Sequence, residues 1–99
     1  MCRNPLDISR KQTAELHYEL GEVLTSEIEI RKRSEAIHKA TYLGNLKHQK
    51  VLIQFSTGAE VYQVHTTIWL HYNRHIYLKG GIRLPVERIL DIHFSSEVR

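Results

Sequence analysis

The sequence predicts an α+β domain in which an N-terminal helical segment, residues 8–40, precedes a small antiparallel β-barrel of four or five strands, residues 47–94. The first observation behind this prediction is a change of period: apolar residues recur every three or four positions before residue 40 and every second position after residue 47. The second is that the strands are few and short. Because a flat sheet of such strands leaves two edges exposed, closure into a barrel is the favoured arrangement.

Length and composition favour one soluble domain. Splitting 99 residues would leave each half near the lower limit for an independent core. The hydrophobic fraction of 41% and the charged fraction of 25% are typical of globular proteins and argue against disorder. Since neither a long apolar run nor a signal peptide is present, we expect a cytoplasmic protein with no membrane partner. The single cysteine, Cys2, excludes an internal disulfide and a Cys-based metal site.

Two helices are predicted in the first half. The first carries an apolar stripe that Gly21 interrupts, and its members are Leu16, Leu20, Val23 and Leu24. The second runs from Ser26 to Ala40, with Glu29 completing a capping-box pattern. A short strand over EIEIR is the alternative for its beginning. The basic cluster of residues 31–33 is interpreted as a solvated helix face, with a nucleic-acid role as the alternative.

The second half alternates as strands do. VLIQF forms one strand, the turn at residues 56–58 follows, and residues 59–72 form one long bent strand or two consecutive strands. We expect the inner side of this stretch to hold Tyr62, Val64, Thr66, Ile68, Leu70 and Tyr72. Tight turns are expected at Asn73-Arg74 and Gly80-Gly81, with Ile76 and Leu78 pointing inward between them. A short strand, a helical turn begun by Pro85 and a last strand complete the barrel.

The charge of the chain favours an anionic partner. Its net charge of +3 arises entirely in residues 47–99, which hold seven Lys and Arg against four Asp and Glu. Five of the seven histidines lie there too. Protonation at mildly acidic pH would therefore raise the positive charge of this half further.

The candidate binding surface lies on the predicted hairpin of residues 68–79. If the inner set is correct, rings and cations share the outer side of neighbouring strands, and these are Trp69, His71, His75, Tyr77 and Lys79. The basic zone is extended by Lys47, Lys50, Arg74 and Arg83, with His48 beside them. Such a mixture suits single-stranded RNA or DNA, since rings stack on unpaired bases and cations meet phosphates. The alternative is that the N-terminal helices cover Trp69 and Tyr77 as a second small core.

No catalytic or metal chemistry is predicted. His71 and His75 are four residues apart, but the turn between them removes the helical meaning of that spacing. No nucleophile turn, phosphate-binding glycine loop or pair of carboxylates is present. We therefore expect no enzyme activity, no metal and no cofactor.

The order of elements in residues 47–94 resembles a known group of folds. A strand, the STG turn, a long bent strand, a short strand, the KGG hairpin and then IRLPVERILDI are similar to the layout of small SH3-like barrels. The group includes the Rof-type inhibitors of the Rho terminator, the Sm-like RNA chaperones and the barrel subunit of archaeal ribonuclease P. The resemblance implies an SH3-like fold and the class of ribonucleoprotein-associated modules, and it implies no particular binding residue.

Two functions follow as expectations. The first is a non-catalytic nucleic-acid-associated or transcription-related binding module whose partner is RNA or another single-stranded nucleic acid. The second is a protein-interaction or self-association domain, which uses an exposed barrel edge or the Trp69 surface.

Overall fold

The chain combines one long helix with two antiparallel-rich sheets. In a computed structural model, which describes residues 5–94, seven strands and two α-helices are formed. The strands are β1 (Leu6–Asp7), β2 (Val51–Ser56), β3 (Val61–Thr66), β4 (Ile68–Tyr72), β5 (His75–Leu78), β6 (Ile82–Pro85) and β7 (Ile89–Phe94). The helices are α1 (Arg10–Thr13) and α2 (Glu27–Lys47), and a 3-10 turn spans Val86–Arg88. The α+β class is thereby confirmed.

The two sheets are not joined into a closed barrel. The first has the strand order β1-β3-β2-β7 and the second has the order β4-β5-β6, and within residues 5–94 no ladder connects them. Thr67 alone separates β3 from β4, which confirms the predicted bend between two consecutive strands. The predicted barrel of four or five strands is therefore not confirmed, although the chain does bend at Thr67 from the first sheet into the second, as it would in such a barrel.

The first predicted helix is wrong over most of its length. α1 begins at a capping box, in which the Ser9 hydroxyl accepts from the Gln12 N–H and the Gln12 side chain accepts from the Ser9 N–H, and it ends at Thr13. Residues 14–26 are not helical, and Gly21 has a φ of 116°, which no α-helix contains. The backbone of this segment instead hydrogen-bonds to distant loops, since Glu19 N–H donates to Thr57 and Val23 N–H donates to Glu87.

The second predicted helix is confirmed and is longer than expected. Ser26 is its N-cap, with the hydroxyl accepting from the N–H groups of Ile28 and Glu29 at 3.2 and 3.5 Å. The alternative of a strand at this point is wrong. The helix continues past Ala40 to Lys47 and ends where His48 adopts a left-handed conformation with a φ of 55°.

α2 lies across the opening between the sheets. It packs against β7 of the first sheet and β4 of the second. At its beginning, Arg33 donates to the Ile89 carbonyl at 3.0 Å, and near its end the Asn45 amide donates to the Trp69 carbonyl at 2.9 Å. The helix thus shields an outer strand of each sheet, and at the other opening α1 contacts β3 and β6.

The core lies between the sheets and under α2. It is formed by residues of alternate strand positions together with one side of the helix: Ile37, Ala40, Val51, Ile53, Phe55, Val64, Ile68, Ile76, Leu78, Leu84, Ile89, Ile92 and Phe94. The predicted alternation in β2 and β5 is confirmed by this set. No helix within residues 5–94 is long and apolar enough to cross a membrane.

Candidate nucleic-acid interface

A bulge in β4 decides which side chains form the outer surface of the second sheet. Ile68 lies opposite Leu78, whereas Leu70 lies opposite Tyr77, so the ladder gains one residue at Trp69. The side-chain alternation is therefore inverted after the bulge. From Leu70 onward, the residues that the simple alternation places inside lie outside.

The expected inner positions of Leu70 and Tyr72 are consequently wrong. Leu70 is 50% exposed and Tyr72 is 66% exposed, while Val64, Thr66 and Ile68 are buried as expected. His71 lies opposite the fully buried Ile76, on the other side of the sheet from Tyr72, and its side chain is exposed at this end of the strand. The prediction that His71 shares the outer side with Trp69 is wrong for the same reason.

The outer face is defined by two rows of paired residues and the bulged tryptophan. One row is Leu70, Tyr77 and Arg83, and the next is Tyr72, His75 and Pro85, with Trp69 beside Leu70 at the bulge. Directly opposed residues on one side of a sheet have Cβ atoms about 5 Å apart, so each ring has a neighbouring ring or cation. The structure therefore brings together four of the predicted residues, namely Trp69, His75, Tyr77 and Arg83.

The charge of this face is positive. Arg83 is exposed, Lys79 is exposed in the turn directly after β5, and none of the three strands contains an acidic residue. His75 is half-buried, and its Nδ1 atom lies 3.0 Å from the Asn73 carbonyl oxygen. The face thus offers aromatic surface and cations with no carboxylate of its own strands between them.

Trp69 is partly covered by the end of α2. The His48 ring meets the Trp69 ring edge-on with centroids 5.3 Å apart, and Trp69 is half-buried. The alternative that the N-terminal helices cover the tryptophan is thus correct in part. Lys47 is exposed as the last residue of α2, and Lys50 is exposed immediately before β2, so both flank this end.

Arg74 lies apart from the outer face. With His71 it lines a depression of about 290 Å³ that also includes Arg33 and two carboxylates, Glu22 and Glu87. These carboxylates offset the cations, so the depression is not a basic extension of the outer face. His71 and His75, which are four residues apart in the sequence, project from opposite sides of the sheet. Within residues 5–94, no group of three His, Cys, Asp or Glu residues is arranged to hold a metal ion.

Two arginines have structural roles that the sequence did not reveal. Arg33 is not part of a solvated face: it is 7% exposed and donates two hydrogen bonds of 2.6 Å to Glu22. These bonds hold the pKa of the Glu22 carboxyl below its ordinary value. Arg88 is equally buried and donates to the carbonyls of Ser56 and Gly21, which fixes the non-helical segment to the sheet.

The sequence analysis also missed exposed apolar residues beside the outer face. Tyr42 and Leu46 lie one turn apart on α2 and are 63% and 58% exposed. Tyr42 and Leu70 line a common groove between α2 and β4. The apolar part of the surface thus continues from the sheet onto the helix.

Comparison of the chain with protein-family models, with curated proteins and with solved structures finds no match, so the resemblance to the Rof, Sm-like and ribonuclease P barrels stays a prediction.

Proposed function

We propose that the protein is a non-catalytic binding module whose outer face takes single-stranded nucleic acid, with RNA as the first candidate. The observation that carries this proposal is the pairing of rings with cations in adjacent rows of one sheet surface. Tyr77 lies between Leu70 and Arg83, and Tyr72 lies opposite His75. Unpaired bases would stack on the tyrosines, and phosphates would meet Arg83 and Lys79.

The energies favour a weak, sequence-tolerant contact. A base stacked on an aromatic side chain contributes about 1–3 kcal/mol, and any base offers a flat face for this contact. Each Lys or Arg at a phosphate adds a contribution that falls as salt rises, because bound counterions are released. With Tyr72 exposed, Tyr77 half-buried and a few cations beside them, the face suits a short unpaired segment better than a rigid duplex.

The predicted resemblance of residues 47–94 to small SH3-like barrels implies the same class of function. That class is the ribonucleoprotein-associated modules, and a basic outer face fits such a setting. We therefore infer a cytoplasmic role in association with RNA or the transcription apparatus, with no chemical step of its own.

The test is a polarisation titration with a short fluorescein-labelled single-stranded RNA at two salt concentrations. We expect Tyr72→Ala and Tyr77→Ala each to weaken binding at least fivefold, in line with about 1 kcal/mol or more per stacked base. His71→Ala is the matched control, since it removes a ring from the same strand but from the other side of the sheet. Absence of binding at low salt, or equal losses with the His71 variant, would remove the proposal.

The exposed apolar residues favour a second candidate, a contact with another polypeptide or a second copy of the chain. Tyr42, Leu46 and Leu70 are all at least half exposed, and such residues are typical of interaction surfaces when they adjoin one another. A Tyr42→Ala variant separates the candidates. It leaves RNA binding unchanged under the first proposal, whereas under the second it shifts the oligomeric state or the affinity for a protein partner, with little dependence on salt.

A further inference from the structure

The outer strand β6 leaves backbone hydrogen-bonding groups unpaired. Hydrogen-bonded and non-hydrogen-bonded residue pairs alternate along an antiparallel ladder. Gly81 N–H donates to the Leu78 carbonyl and Val86 N–H donates to the Arg74 carbonyl, and these two bonds at the ends of the β5–β6 ladder show which pairs are hydrogen-bonded. Ile82 and Leu84 therefore face β5 with their backbone groups, whereas Arg83 directs its N–H and C=O away from β5. Within the described part of the chain, neither group of Arg83 has a hydrogen-bond partner.

α1 contacts β6, but no residue in the described part of the chain hydrogen-bonds to the backbone of Arg83, so this part of the β6 edge is unpaired. At the opposite edge, the Asn45 amide of α2 caps the Trp69 carbonyl of β4. Beside β6, by contrast, lies a groove of about 380 Å³, whose far wall is the segment from Thr13 to Tyr18. The near wall is β6 itself, including Ile82 and Arg83. A strand edge that borders an open groove is a template for pairing with another extended chain.

We propose that this groove accepts an extended peptide of alternating acidic and apolar residues, which adds to β6 as a further strand. Main-chain hydrogen bonds to the N–H and C=O of Arg83 would supply the register, as they do in other cases of strand addition. This peptide site differs from the nucleic-acid site proposed above in its use of the Arg83 backbone: both sites use the Arg83 guanidinium, but only the peptide also hydrogen-bonds to the Arg83 N–H and C=O.

The chemistry of the peptide follows from the two sides of the sheet. A peptide residue opposite Arg83 would lie on the outer face beside a guanidinium, and His75 is close to the same groove, so an acidic side chain fits there. The peptide residues before and after it would point to the other side, where Leu16 and Ile82 line the groove. None of the residues from the described range 5–94 that line the groove is acidic, so these walls do not oppose the acidic positions.

The experiment compares two substitutions of one residue. Arg83→Ala removes the side chain and keeps the N–H, whereas Arg83→Pro removes both. Proline is tolerated at an outer strand where the N–H points away from the sheet, and the preceding Ile82 is already extended. Random nonapeptides displayed on phage are selected on the unmodified protein, and synthetic copies of the enriched peptides are then titrated against both variants.

We expect acidic and apolar residues to alternate in the selected peptides. We also expect Arg83→Pro to bind them about tenfold more weakly than Arg83→Ala does, since one main-chain hydrogen bond is lost and a peptide carbonyl is left unpaired. Single-stranded RNA serves as the control ligand for which the two variants should not differ. Both variants lose the same guanidinium, so both are expected to bind RNA equally weakly. A failure of RNA binding alone therefore leaves the peptide site intact.

Amide hydrogen exchange on the unmodified protein provides a measurement that needs no substitution. Addition of a selected peptide is expected to slow exchange of the Arg83 amide, which is open in the free protein. The proposal is overturned if no peptide is enriched, if the enriched peptides bind the proline variant as tightly as the alanine variant, or if the Arg83 amide exchanges equally fast with and without peptide.

Discussion

Replacing Gly44 with alanine tests whether α2 rests directly on the backbone of β4. Gly44 is buried and lies one turn beyond the fully buried Ala40. A Cβ atom at this position would overlap the Ile68 carbonyl oxygen and would lie 2.9 Å from Thr67 Cγ2. Because a backbone carbonyl in a strand cannot rotate away, the helix itself has to withdraw.

The size of the effect follows from two opposing terms. In an exposed helix, Gly→Ala stabilises by about 1 kcal/mol through backbone entropy alone. Here a withdrawal of roughly 0.5–1 Å forfeits a quarter to a half of the dispersion energy at each affected contact, and overpacking of this kind costs about 1–3 kcal/mol. Ile37 and Ala40, both 0% exposed on the same helix, would lose part of their packing. Because the new Cβ meets backbone and not a mobile side chain, we expect the overpacking cost at the upper end of this range, about 3 kcal/mol, which leaves a net loss of about 2 kcal/mol.

The measurement is thermal and urea unfolding followed by circular dichroism. A loss of about 2 kcal/mol corresponds to a fall of roughly 10 °C in the Tm of a domain of this size. Ser34→Ala is the matched control, since Ser34 is exposed on α2 and gains helix propensity without a new contact. If Gly44→Ala were as stable as the unmodified protein, or more stable in parallel with the control, the close seating of α2 would be refuted.

Two further predictions concern residues that the fold places in unusual surroundings. Glu22→Gln is expected to destabilise by about 1–2 kcal/mol at neutral pH, because it leaves the Arg33 side chain, 5% exposed, without its counter-charge, while water screens the third of Glu22 that is exposed. The folded state lowers the Glu22 pKa from its ordinary 4.5, so the stability difference between the two proteins is fully present above pH 4.5 and disappears as the pH falls through the lowered value. Urea unfolding over this pH range measures the difference. A stability difference that stays constant down to acidic pH contradicts the ion pair. Arg74→Gly is expected to stabilise the protein by about 1 kcal/mol, because Asn73 and Arg74 have φ angles of 54° and 65°, which glycine adopts without strain. Thermal unfolding measures this effect, and a loss of stability would contradict the turn geometry.

The strands and turns could be predicted because their signals are local. Val51, Ile53 and Phe55 alternate with less buried residues within six positions, and two pairs of turn residues mark the hairpins. These features depend on neighbours in sequence, so a single chain suffices to recognise them. The same holds for the N-cap Ser26, whose hydroxyl serves N–H groups two and three residues away.

The segment of residues 14–26 could not be predicted because its partners are distant in sequence. Its stripe of leucines suggests a helix, yet Leu20 is 92% exposed and Gly21 N–H donates to the Glu87 carboxylate, 66 positions away. Buried Arg88 donates to the Gly21 carbonyl from the same turn. These long-range hydrogen bonds outweigh a helix propensity that glycine already weakens.

The end of α2 shows the converse case. Glycine often follows the last turn of a helix, but here the helix continues past Gly44 to Lys47, and Gly44 lies where any Cβ atom would meet the Ile68 backbone. Whether a glycine ends a helix or permits close packing depends on what lies opposite. That information is contained in the tertiary structure alone.

The outer face, in contrast, was within reach of the sequence. A two-residue turn at Asn73-Arg74 pairs Tyr72 with His75, so these residues share one side of the sheet. Since Ile76 and Leu78 point inward, His75 and therefore Tyr72 point outward. Alternation counted forward from Ile68, however, puts Tyr72 inside. The two counts differ by one residue, and a one-residue bulge between Ile68 and Leu70 is the arrangement that reconciles them.

This bulge moves the centre of the proposed nucleic-acid contact. Without it, Trp69 and His71 would be the principal rings, and the face would depend in part on Trp69, which the end of α2 partly covers. With it, Tyr72 takes that place at 66% exposure, directly beside His75 and two residues along the strand from Leu70, which faces Tyr77. The proposed function therefore depends on the register of one strand pair. A protein in which Tyr72 contributes to RNA binding and His71 does not would show that this register forms in solution.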